Sequence, residues 1–241
     1  MCKDYQNILK CLNNNPEGIL VDKNDLVFLN LINNYFPNLK ETKKRPDAYA
    51  IQDDSILLLE HFQFDNSKIS SKGSKQNKIS AETQRKFEKK FKEGCNFAVL
   101  SESVGKSGIN YVENFQTQFN KHAQKINNYK TDIEKELGRT FKKYLIGFVI
   151  EDSSPLGTLY HDGKLRVVDL TFCKEFLDLF EKTPLLDFVV FAMTGNNENR
   201  ILSFLSRNQI KERRKQQIEI STIDKFLFEE SYCASGVIDI S

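Results

Sequence analysis

Apolar positions along the chain follow two rhythms. Spacings of three and four mark helices over about 4–14, from about Asn24 to Phe36, over roughly 81–93, about 112–137, 173–182 and about 197–215. In the second helix Leu26, Leu29, Ile32 and Phe36 share a side, Asn24 or Asp25 supplies the cap, and Pro37 ends it. Gly94 and Gly138 stop the third and fourth. Alternating or continuous apolar runs mark strands over 47–51, 55–65, 96–100, 144–150, 187–193 and 217–221. The run 144–150 is apolar throughout, as a strand buried on both faces requires. Turns are expected at 13–16 and, as a hairpin, at His161-Asp162-Gly163, and the Lys/Ser-rich stretch 66–80 reads as a mobile loop. Helices alternating with strands give an α/β fold, read as a single domain over 1–241 with peripheral additions.

The most informative stretch runs from Arg45 to Asp65. If Asp53-Asp54 forms a two-residue turn, Gln52 pairs with Ser55, Ile51 with Ile56, and Asp47 with Glu60. Side chains directly opposite one another lie on one face with Cβ atoms roughly 4.5–5.5 Å apart. Two bare carboxylates at that distance repel, and a divalent cation between them reverses the sign. The bland alternative leaves both acids at exposed strand ends. Against it, Glu60 follows Ile56-Leu57-Leu58-Leu59, and Phe62 and Phe64 continue the strand.

Pro46-Asp47, a short hairpin, and an acid near the end of an apolar strand resemble the PD-(D/E)XK nuclease superfamily. The resemblance spans about 24–150 and implies a mixed central sheet flanked by helices, a restriction-endonuclease-like core. A C-terminal α/β extension then covers about 151–241. It also implies that Asp47 and Glu60 hold Mg²⁺ (or Mn²⁺), which activates water and stabilises charge on the scissile phosphate. The chain departs from the pattern at the lysine two residues after the acid, where Phe62 stands. His61 and Gln63 flank it but point to the opposite face by strand alternation. Either a β-bulge at His61-Phe62 swings Gln63 onto the face of Glu60, or the missing group comes from another element.

The long helix offers such a group. Phe115, Phe119, His122, Ile126 and Tyr129 form one inward stripe, which turns His122 away from solvent, and Lys125 lies on the edge of that face. Either could serve the site. The bland readings are a hydrogen-bonded core histidine and a snorkelling lysine. Gly105-Lys106-Ser107-Gly108 lacks P-loop spacing. Arg207, Lys211, Arg213, Arg214 and Lys215 read as a solvated helix end.

Composition adds limits. The 241 residues carry a formal charge of +2, and no run approaches the ~18 apolar residues of a membrane helix. The N-terminal residues lack a signal-peptide core, so a cytoplasmic location is expected. Abundant Asn and Lys suggest an AT-rich coding sequence from a bacterium or phage. Five scattered cysteines (Cys2, Cys11, Cys95, Cys173, Cys233), without CxxC spacing, read as reduced thiols rather than as disulfides or a zinc site. The balanced charge conceals a local excess: 66–92 carries +7 and the remainder −5. Within it Lys68, Lys72, Lys75 and Lys78 are placed to contact phosphates. The expected function is therefore metal-dependent hydrolysis of nucleic acid, DNA before RNA, in restriction, repair or mobile-element defence, with a homodimer suited to double-strand cutting. The alternative is a nuclease-like module without catalysis that binds nucleic acid or protein.

Overall fold

The computed structural model describes residues 3–13, 19–20, 25–65, 69–70, 73–74, 82, 85, 89, 97–103, 108–153, 158–161, 164–167, 169–194, 200–219, 226–227 and 231–237. Its centre is a mixed sheet of seven strands: β1 (Ile19–Leu20), β2 (Lys40–Glu41), β3 (Ala48–Gln52), β4 (Ser55–Phe64), β5 (Lys143–Asp152), β6 (Phe188–Thr194) and β7 (Arg200–Ser206). They lie in the order β1-β7-β6-β5-β4-β3-β2. β4, β5 and β6 run parallel, while β2, β3 and β7 are antiparallel to their inner neighbours. Strands from the C-terminal third thus extend the same sheet as the hairpin.

Among the described residues the helices are α1 (Lys3–Asn13), α2 (Leu26–Asn33), α3 (Gly108–Ala123), α4 (Ile126–Leu137), α5 (Lys174–Glu181) and α6 (Ile210–Arg214). Of the helix expected over 81–93, Glu82, Arg85 and Lys89 are helical and the remainder lies outside the described residues. Two cores follow from strand alternation. Ile56, Leu58, Phe62 and Phe64 of β4 join Ile146, Phe148 and Ile150 of β5 beneath the rings of α3, α4 and α5. Leu57, Leu59, Leu145 and Val149 face the other way, against α1 and α2. The continuous apolar run in β5 is buried on both faces, as its composition requires.

Gly147 of β5 sits opposite Phe188 of β6, and a Cβ there would lie 2.2 Å from the ring carbon Cζ of Phe188. That ring is held by Phe28 and Phe204, with centroids 6.0 and 5.6 Å away, so it has little room to yield. Gly147→Ala is therefore expected to cost about 1–3 kcal/mol and lower the melting temperature by roughly 3–10 °C. A variant melting with the parent would show that the Phe188 ring moves aside.

Several expectations change. The 112–137 helix is two, broken at Gln124-Lys125, where Lys125 N–H bonds the His122 carbonyl at 3.0 Å and tightens the turn. No glycine or proline marks that break in the sequence. Where a helix is expected over 197–215, the described residues form β7, a 3₁₀ turn (Arg207–Gln209) and the short α6. Leu202 and Phe204 join one core and Leu205 the other, so the segment is buried on both sides and its spacing mimics a helix. Over 217–221 the described residues include one bridge, Ile218 to Cys173, rather than a strand. α2 ends at Asn33, and Pro37 lies in a following 3₁₀ turn. Asp25 occupies the cap position of α2, but its side chain accepts from Ser206 Oγ–H and from Ser206 N–H at 3.3 Å. The hairpin expected around His161-Asp162-Gly163 has its flanking strands, Thr158–His161 and Lys164–Val167, paired antiparallel, and Phe97–Ser103 pairs antiparallel with Ser231–Val237. Among the described residues no helix is long and apolar enough to cross a membrane.

Candidate active site

The Asp53-Asp54 turn fixes the register of the hairpin. Asp53 adopts the left-handed conformation (φ 53°), and the ladder runs from Gln52↔Ser55 to Ala48↔Leu59. Asp47 lies one residue beyond the last pair, on the side of the sheet that Glu60 faces. Its Oδ2 accepts the backbone N–H of His61 at 2.7 Å, which ties it to β4 beside Glu60. Asp47 is 6% exposed; burial pushes its carboxyl above the usual range, against the opposing pull of the His61 amide and Arg45.

Glu60 is fully buried. Its Oε1 accepts from His122 Nδ1–H at 2.6 Å and forms an ion pair with Arg45. Its Oε2 has no hydrogen-bond partner among the described residues, and the buried Tyr129 hydroxyl is in the same condition. Burial raises the Tyr129 phenol, with smaller effects from Arg45 and Asp47. Unsatisfied buried oxygens are uncommon and call for an explanation.

By sequence Arg45 belongs to a basic connector. In the fold its Nη1 also lies 3.9 Å from Asp47 Oδ1, so the guanidinium stands between the two carboxylates and relieves their repulsion. No local spacing signals it, because residues 43–47 are bends that precede the strand and alternation does not apply to them. Lys125 is half-buried at the junction of α3 and α4. Burial lowers its amine most, followed by the charges of Arg45 and Lys121, while Asp47 opposes them. It therefore lies within electrostatic reach of the pair.

His122 faces inward as expected. Burial, then the charges of Arg45 and Lys125, hold its pKa at about 3 against an ordinary 6.5. A neutral ring that donates from Nδ1 to Glu60 keeps its lone pair on Nε2. Phe62 stacks on this ring, with centroids 4.8 Å apart, and meets Phe119 and Phe148 edge-on. Phe62 is thus part of the aromatic core.

Of the two alternatives, the bulge at His61-Phe62 is not formed: β4 and β5 pair without interruption from Ser55↔Lys143 to Phe64↔Asp152. Alternation is therefore preserved. Gln63 stays exposed on the opposite face, and His61 turns away from Glu60 toward Glu151 and Asp4. Neither side chain joins the Asp47–Glu60 pair; only the His61 amide does. Lys68, Lys72, Lys75 and Lys78 lie outside the described residues.

Four members of the C-terminal basic cluster are engaged within the fold, and Lys211 is exposed. Arg207 caps carbonyls of Phe180 and Leu186, Arg213 lies over Phe172, Arg214 pairs with Asp178 and Glu181, and Lys215 pairs with Glu212. A surface cleft of about 370 Å³ between Asn120–Asn127 and Leu179–Leu185 has no acidic or histidine side chain in its walls.

Mg²⁺ and Mn²⁺ favour oxygen donors, with one or two carboxylates completed by water and phosphate. Asp47 and Glu60 offer oxygen donors of that kind, and Glu60 Oε2 has no hydrogen-bond partner among the described residues.

The depressed His122 makes stability depend on pH. Its folded pKa lies below its unfolded one, so its contribution is intact above about 6.5 and is lost as pH falls toward 3. Asp47 acts in the opposite sense, over a window that begins at its ordinary 3.8. Denaturant titrations between about pH 7 and pH 4 should show the metal-free protein weakening by up to about 1.4 kcal/mol per pH unit. His122→Gln should flatten that slope, and parallel profiles would contradict a buried neutral ring.

Comparison of the chain with family models, with curated proteins and with solved structures finds no match.

Proposed function

We propose that the protein is a metal-dependent nuclease hydrolysing phosphodiester bonds, with DNA as the substrate. The observation that carries this reading is Glu60: a fully buried carboxylate with one oxygen lacking a hydrogen-bond partner among the described residues, beside Asp47 on a hairpin of a mixed sheet. Asp47 and Glu60 would hold Mg²⁺ or Mn²⁺, which when bound supplies Lewis-acid polarisation and a lowered pKa for its water. The chain's own groups do the rest. His122 orients Glu60 through Nδ1–H, and Phe62 stacked on the ring fixes its plane. Arg45 and Lys125 take over the positive charge that the family draws from its lysine, and so attract a phosphodiester to the carboxylates. Lys68, Lys72, Lys75 and Lys78 add contacts to the nucleic-acid backbone that carry affinity without sequence information. Restriction, repair or mobile-element defence would suit such an enzyme, and pairing of two copies would suit double-strand cutting.

One observation favours a second reading. The Arg45 guanidinium already compensates Glu60 without a metal, as in a nuclease-like module that has lost catalysis and binds nucleic acid or protein. Incubating the chain with plasmid and with single-stranded DNA in Mg²⁺, Mn²⁺ or chelator separates the two. The nuclease cuts only with the metal. Salt-sensitive binding without any metal-dependent product supports the second reading instead.

A further inference from the structure

On the other face of the sheet, at the same end of the parallel strands, lies a second polar group of different chemistry. Cys11 of α1, His61 of β4 and Glu151 of β5 each offer one ligand atom, and these atoms all lie within 4.8 Å of one another. The three residues are 0%, 2% and 6% exposed. We infer that Cys11, His61 and Glu151 form a zinc site that fastens α1 to the sheet. It is separate from the Asp47–Glu60 pair and does not depend on the nuclease reading.

Geometry and donor chemistry support the assignment. His61 Nε2 lies 3.2 Å from Glu151 Oε2, close to the roughly 3.3 Å that separates two ligands at 2.0–2.1 Å in tetrahedral coordination. Nδ1 lies 3.4 Å from Asp4 Oδ1, so the ring can donate Nδ1–H to a carboxylate while Nε2 faces the metal. That outer carboxylate fixes the tautomer and strengthens the ligand, as at many histidine–metal sites. Asp4 and Cys11 are seven residues apart on α1, two helical turns, which brings both to the side packed on β4.

Zinc binding would release the Cys11 thiol proton, and the divalent ion would cancel the charges of the resulting thiolate and the Glu151 carboxylate. Sulfur and imidazole donors suit Zn²⁺ and are poor ligands for Mg²⁺, which takes oxygen. The two faces would therefore hold different ions. With three protein ligands the fourth position falls to water. The sequence could not reveal this group, because its members are separated by 50 and 90 residues and meet only through strand pairing.

The test uses the full chain, stripped with chelator and titrated with Co²⁺ and then Zn²⁺. Expected are one tight Zn²⁺ per chain, a visible Co²⁺ spectrum with a thiolate charge-transfer band that Zn²⁺ abolishes, and a rise in melting temperature with Zn²⁺. Millimolar Mg²⁺ should not compete. Cys11→Ser should remove the band, Asp4→Asn should weaken Zn²⁺ binding about 10–100-fold, and Glu60→Gln should leave both unchanged. Should Cys11→Ser fail to fold by circular dichroism, the near-isosteric Glu151→Gln carries the test through its loss of Zn²⁺ affinity. Absence of the thiolate band in the parent, or Zn²⁺ affinity unchanged in these variants, overturns the assignment.

Discussion

Asp47→Asn and Glu60→Gln should each lower Mg²⁺-dependent DNA cleavage by about two orders of magnitude or more while leaving the chain folded. Each change removes one anionic donor from the pair proposed to hold the metal, and a catalytic metal supplies several kcal/mol of charge stabilisation, at about 1.36 kcal/mol per tenfold in rate. The fold should survive because hydrogen bonding is preserved. A carboxamide in place of the Asp47 carboxylate could still accept the His61 amide through its carbonyl oxygen, and one in place of Glu60 could still accept from His122 and Arg45. Neutralising Asp47 also removes a charge that burial already disfavours. The informative measurement is single-turnover cleavage at saturating Mg²⁺, with DNA binding assayed in parallel. Undiminished cutting by both variants would place the chemistry elsewhere in the chain.

Arg45→Ala should destabilise the metal-free protein by about 3–5 kcal/mol, a drop in melting temperature on the order of 10 °C. The asymmetry of the pair is the reason. Arg45 is 36% exposed and could turn to water, but Glu60 is fully buried and would lose its compensating cation. This variant also separates the two functional readings. If Glu60 and Asp47 bind a divalent ion, that ion replaces the lost guanidinium, and Mg²⁺ at roughly a hundred times its dissociation constant returns about 2.7 kcal/mol. The variant should then gain more from Mg²⁺ than the parent, in which the ion must first displace Arg45. A variant that stays destabilised at every Mg²⁺ or Mn²⁺ concentration would mark Arg45 as a permanent substitute for the metal and favour the non-catalytic module.

The local grammar of the chain accounts for much of the hairpin. Asp53-Asp54 set a two-residue turn, and once that turn is fixed, period-two alternation dictates which residues share a face with Glu60. The inward stripe from Phe115 to Tyr129 is likewise legible, because 3.6-residue spacing assigns a face whatever the helix packs against. The same rule that places Phe62 on the face of Glu60 also excludes His61 and Gln63, and without a bulge that exclusion stands. Local pattern fails where burial on two sides erases periodicity, as in β7, and where a helix bends without a breaker residue, as at Lys125.

By itself, then, the sequence determined the α/β alternation, the hairpin register and the side of the sheet on which each polar residue falls, since these depend on backbone periods and turn chemistry. Only the tertiary structure decided what those residues meet. Arg45 lies between the carboxylates, His122 crosses 62 positions to reach Glu60, and Cys11 and Glu151 close around His61 on the opposite face. Such meetings arise from the order of strands in the sheet and the docking of helices upon it. Both are set by the burial of whole faces, which no local spacing encodes.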